Sequence, residues 1–162
     1  MLRTAIGLYA LLGLGTLHGG GQPGNPTAAS VTPRPIFPKG ERAPPQHFTG
    51  TVWVNSLVAQ ENTYQCVVGN VVFEAGARTH WHRHPSGQLL LVTNGVGYYQ
   101  EKGQPKRLVH KGDVIKAPPG VEHWHGASLK QPMTHLAIVP NTEKGAAIWL
   151  QPVTEQQYRG TN

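Results

Sequence analysis

The side chains able to do chemistry fall in two short stretches and one isolated position. His82 and His84 stand two residues apart, so on a β-strand they project from the same face. Pro85-Ser86-Gly87 is a turn signal that reverses the chain and returns Gln88 beside His84 on the next antiparallel strand. His123 opens a later strand, just after the tight Pro118-Pro119-Gly120 turn. Three imidazoles and one amide oxygen suit a first-row divalent ion. His82, His84, Gln88 and His123 are therefore the expected metal ligands, and four ligands leave such an ion room for water or substrate. His125 lies two residues beyond His123 and should face the same interior. His135 stands in the otherwise apolar run Met133-Thr134-His135-Leu136-Ala137, which also directs it inward. Free imidazoles beside an open metal position can shuttle protons near neutral pH. His80 shares the face of His82 and reads as a rim or hydrogen-bonded histidine rather than a fifth ligand.

Such residues converge only if several strands aim them at one point. Across its 162 residues the chain has 20 Gly and 14 Pro, with 14% charged residues, which indicates turns and short strands rather than long surface helices. From about Phe48, β-branched and aromatic runs alternate with turn signals. The expected strands are 51–57, 64–74, 79–84, 88–93, 97–101, 106–110, 113–116, 123–127, 133–139 and 147–151. A turn is expected at Asn94-Gly95, and a last helical turn at 154–158. Adjoining strands without helical periodicity predict an all-β antiparallel barrel or jelly roll.

The first part of the chain reads differently. Arg3, an apolar run from Ala5 to Leu17 and Gly19-Gly20-Gly21 have the form of a secretory signal peptide, taken as residues 1–20. That predicts a periplasmic or secreted protein with no stable membrane insertion once the signal is removed. Residues 21–46 carry seven prolines and read as an extended linker or N-terminal arm without paired strands, although Ile36-Phe37 could dock as a strand. The folded domain is expected over 47–158. The net charge of +6 is shared equally between the first 45 residues and the remainder. Beyond the arm the cations are scattered and no aromatic residues alternate with them, so no nucleic-acid partner is expected. Cys66 is the single cysteine, which excludes an internal disulfide, and its strand-like context predicts a small buried residue.

The spacing closely resembles the two motifs of the cupins. The first reads Gly76, five residues, His82-x-His84, three residues, Gln88, six residues, Gly95. The second reads Gly112, five residues, Pro118-x-Gly120, two residues, His123, then Ala127 where that family usually has Asn. The resemblance implies a single-domain cupin jelly-roll β-barrel, often dimeric, with a metal on the four matching residues. Gln88 stands where Glu is usual, so the ligand set is neutral. That should weaken affinity and make the ion a stronger Lewis acid. The fuller run Arg78 to Gln88, with His123-Trp124-His125-Gly126-Ala127 and Met133 to Ile138, is similar to the bacterial cupin hydroxynitrile lyases of the (R)-mandelonitrile type. That branch implies manganese or a related divalent ion (Fe, Ni, Co or Zn) on three His and one Gln. It implies Thr79, His125 and His135 lining the active site, with Gly69, Val71 and Val139 setting substrate size. The reaction implied is cleavage of a cyanohydrin to an aldehyde and HCN by a small-molecule lyase, as a dimer or tetramer. Two other readings share the site: a metal-dependent dioxygenase, which would consume oxygen, and a non-catalytic small-ligand or metal-binding cupin, which would retain its ligand and turn nothing over.

Overall fold

The computed structural model describes residues 34–160. Twelve strands form one curled antiparallel sheet that folds into two facing parts: β1 (Glu41–Arg42), β2 (Phe48–Thr49), β3 (Val52–Val58), β4 (Cys66–Phe73), β5 (Arg78–Thr79), β6 (His82–Arg83), β7 (Gln88–Glu101), β8 (Arg107–His110), β9 (Val114–Ala117), β10 (His123–Ala127), β11 (Met133–Pro140) and β12 (Ile148–Trp149). A five-residue helix, α1 (Glu155–Arg159), follows. The strand path is β1-β3-β4-β11-β7-β10-β5-β2, with β8 and β9 also on β7 and with β6 bridging β10 and β12. The fold is thus the all-β antiparallel jelly roll expected from the strand pattern.

The alternation of side chains explains which face closes. In β11, Met133, His135 and Val139 are buried while Thr134, Leu136 and Ile138 are half-exposed. In the first half of β7, Gln88, Leu90 and Val92 point in and Leu89 points out. The main core gathers Val52, Val71, Phe73, Leu90, Val92, Tyr99, Ile115 and Met133 between the two parts. Each such side chain contributes about 1.5–3 kcal/mol when fully buried. A second cluster, Trp81, Trp124, Val153 and Tyr158, fastens the C-terminal segment to the outside of the sheet.

Several expectations need correction. Asn94-Gly95 is not a hairpin turn: β7 runs unbroken for 14 residues through it. The register against β11 slips there, with Thr134 opposite Asn94 and His135 opposite Val92. This bulge carries β7 from one part of the sheet to the other. Gly95 has φ 77° and a Cβ on it would lie 1.9 Å from the Pro132 carbonyl oxygen, so long-range packing overrides the local turn signal. The strand expected over 79–84 is interrupted, giving β5 and β6, because Trp81 turns out to the C-terminal segment: its N–H donates to Gln151 and its carbonyl accepts from Leu150. Within the arm, Glu41 and Arg42 do pair, with Val54 and Trp53 of β3. Ile36 is exposed and forms no strand. Cys66 is half-buried at the start of β4 rather than buried. The signal segment and residues 21–33 lie outside the described residues. Among the described residues, no helix is long and apolar enough to cross a membrane.

Candidate metal centre and adjoining histidine pair

β6 lies between β10 and β12, and the register puts His82 directly opposite both His123 and Trp149. Strand alternation buries His82 and His84 and leaves Arg83 in solvent. The rings of His82 and His123 are 4.4 Å apart, and His84 lies 5.1 Å from His82. Gln88, the first residue of β7, reaches the same point, its Oε1 3.1 Å from His123 Nε2. From the far side, the ligand atoms of His82, His123 and His125 all fall within 4.8 Å of one another. His82, His84, Gln88, His123 and His125 are each at most 6% exposed.

The tautomers of three of these histidines are fixed by the backbone. Nδ1 of His82 donates to the His80 carbonyl at 2.9 Å, and Nδ1 of His123 to the Val121 carbonyl at 3.0 Å. Nδ1 of His84 is bonded to the Ala146 carbonyl. An N–H at Nδ1 leaves a lone pair at Nε2, the arrangement that presents imidazole to a metal. His123 Nε2 then meets the Gln88 amide oxygen acceptor to acceptor, which is unfavourable unless a cation stands beside both. His84 Nε2 is buried without a hydrogen-bond partner, and so is His125 Nε2. The orphaned His84 nitrogen, the Gln88 oxygen facing His123 and uniformly neutral donors fit a divalent cation.

His125 and His135 behave differently. His135 Nε2 lies 3.2 Å from His125 Nδ1, and neither of these nitrogens bonds to the backbone. Phe73 packs on both rings, at 5.8 and 5.4 Å. Thr79 Oγ1 accepts the backbone N–H of His125 at 3.1 Å, so the hydroxyl holds β10 in place at that residue. Burial is the main cause of the low proton affinity of the whole group: His123 and His135 are pushed down to about 4, and His82 and His125 well below the usual histidine range. Among the described residues no Asp or Glu is buried, so no carboxylate opposes this trend.

The structure therefore brings His82, His84, Gln88, His123, His125, His135 and Thr79 into one interior region. It groups His125, expected as a pocket residue, with His82 and His123. His80, between β5 and β6, is buried at 8% exposure, and its backbone N–H donates to the His47 carbonyl. Sequence reasoning passed over three participants: Phe73, the Ala146 carbonyl and Trp149, whose ring lies 4.8 Å from that of His82. Their part is fixed by contacts across the fold, and nothing in their local spacing signals it.

A family model described as "Cupin domain" matches residues 69–139. Over 118 residues the chain is 43% identical to the (R)-mandelonitrile lyase of Granulicella tundricola, a match covering 73% of this chain and 90% of that protein. The crystal structure of a cupin-like protein from Thermotoga maritima superposes with a TM-score of 0.77 at 48% identity, covering 80% of this chain and 98% of that one. A DMSP lyase from Ruegeria pomeroyi, 20% identical with a TM-score of 0.55 over 67% of this chain and 54% of that one, shares the fold alone. The chain belongs to the cupin family.

Proposed function

We propose that this protein is a metal-dependent lyase that cleaves a cyanohydrin to an aldehyde and HCN. The observation that carries the reading is the partnerless Nε2 of His125, beside the candidate ligands and backed by His135. The 43% identity to a (R)-mandelonitrile lyase points to the same reaction. His82, His84, Gln88 and His123 would hold the ion, proposed as Mn²⁺; when bound it would supply Lewis-acid stabilisation of oxygen or cyanide charge.

The protein's own groups account for the proton. Burial keeps His125 and His135 neutral at pH 7, so His125 Nε2 is free to take the hydroxyl proton of the cyanohydrin. As that O–H bond breaks, the carbonyl forms and the C–C bond cleaves with its electron pair leaving on cyanide. The imidazolium then returns the proton to cyanide, giving HCN. While the proton is held, the 3.2 Å contact lets His135 share it by tautomer exchange without side-chain movement. Val71 and Val139 are buried on the inner face, and Gly69 faces inward two residues before Val71. These positions would bound the substrate, and a Cβ at Gly69 would meet neighbours only at 3.9 Å, so an alanine methyl fits there.

The test is release of benzaldehyde from mandelonitrile by Mn²⁺-loaded protein, followed by absorbance with and without oxygen. Equal rates in both are expected. Oxygen-dependent turnover without cyanohydrin cleavage would replace this reading with the dioxygenase. Export through residues 1–20 is proposed as well, and cell fractionation checks it. Exposed Leu89 and Val114 on the outer face of adjacent strands support a homo-oligomer, to be measured by light scattering.

A further inference from the structure

Two of the candidate ligands are positioned by a single short segment near the C-terminus. The Ala146 carbonyl takes the Nδ1 hydrogen of His84. Three residues on, Trp149 stands in register with His82, its indole 4.8 Å from the imidazole and tilted by 33°. His47 stacks on the same indole at 4.3 Å and 11°, and Phe48 leans on it at 5.5 Å. Both imidazoles contact this one indole, and one of them belongs to a candidate ligand, so the direct effect of the indole falls on the plane of His82.

The segment is itself tied down. Leu150 and Gln151 exchange backbone hydrogen bonds with Trp81, between His80 and His82. Beyond it, buried Arg78 grips the Val153 carbonyl at 3.1 Å and Glu155 at 2.6 Å, and the Tyr158 hydroxyl donates to the Ala127 carbonyl at 2.8 Å. On the other side the Thr142 N–H donates to the Gln65 carbonyl at 2.9 Å, and a strap fixed at both ends can hold two ring orientations that strand geometry alone leaves free to rotate.

We propose that the Ala146–Trp149 strap is a positioning element of the metal centre, with the Ala146 carbonyl setting the His84 tautomer and the Trp149 indole setting the His82 ring plane. This rests on His82 and His84 being ligands. Groups that orient a ligand histidine change metal affinity by about 10- to 100-fold when removed.

The experiment titrates Co²⁺ into metal-free full-length protein, reading the dissociation constant and the visible ligand-field bands. Trp149→Ala is expected to weaken binding by about 10- to 100-fold and to shift the bands, while Trp149→Phe, which keeps a ring against His82, restores most of both. Trp149→Ala binding within about twofold of wild type, with unchanged bands, overturns the proposal. Should Trp149→Ala fail to fold, His47→Ala removes the ring stacked on the indole. A weaker, spectrally altered site is then expected, and an unchanged one overturns the proposal equally. A wild type that binds Co²⁺ and cleaves no cyanohydrin counts against the lyase reading alone, whereas one that binds no Co²⁺ sinks both.

Discussion

The interior holds two kinds of histidine, and they are held in opposite ways. His82, His84 and His123 each give Nδ1 to a backbone carbonyl, which locks one tautomer and aims one nitrogen. His125 Nδ1 instead faces His135 Nε2, so the hydrogen between them can belong to either ring. The same residue type becomes a fixed donor in one layer and an exchangeable proton carrier in the other. Only the partner of the second ring nitrogen distinguishes them.

That contrast can be broken at either layer. The largest effect is expected at the locked one: His123→Ala removes a donor that touches both His82 and Gln88, and metal binding by calorimetry should fall by at least about 100-fold. In the exchangeable layer, His135→Ala should retain metal yet lower kcat by about 100- to 1,000-fold, within the range for general acid–base catalysis. Comparable losses of metal in both variants would erase the distinction.

Acid affects both layers through one mechanism. His123 and His135 sit at about 4 when folded, against an ordinary value near 6.5. Between those pH values the unfolded chain binds more protons, so stability of the metal-free protein is full above about pH 6.5 and is lost as pH falls toward 4. Each buried imidazole contributes about 3 kcal/mol to that loss. Thermal melts of metal-free protein at pH 7.5 and 4.5 should differ accordingly, and identical melting temperatures would show that water reaches these rings. The smallest change is expected from Thr79→Val. It leaves the buried N–H of His125 without its acceptor and costs about 1–3 kcal/mol of stability in denaturant melts, with metal affinity preserved.

Much of this was legible in the sequence, for identifiable reasons. A two-residue spacing assigns a face, so His82 and His84 could be paired before any coordinates. The Pro85-Ser86-Gly87 turn returned Gln88 to them. The terminal helical turn, expected over 154–158, is also present and is capped by Thr154, whose side chain accepts the N–H of Gln157. Periodicity assigns a face but not a distance across the sheet. The approach of His125 to His82 and His123 therefore emerged only from the fold. Asn94-Gly95 misled because its dipeptide signal is local, while Pro132 packing against it comes from the loop before β11. Trp149 was invisible for the same reason: its contacts are with His47 and His82, far away along the chain.

β7 deserves a last consequence, since it belongs to both parts of the sheet and carries Gln88 at its first residue. A strand shared in this way couples the two parts during unfolding, because melting either part strips hydrogen bonds from the same strand. Its amides should exchange with solvent only through opening of the whole domain. An ion bound beside Gln88 would then slow exchange by a similar factor at Val96, in the middle of the strand.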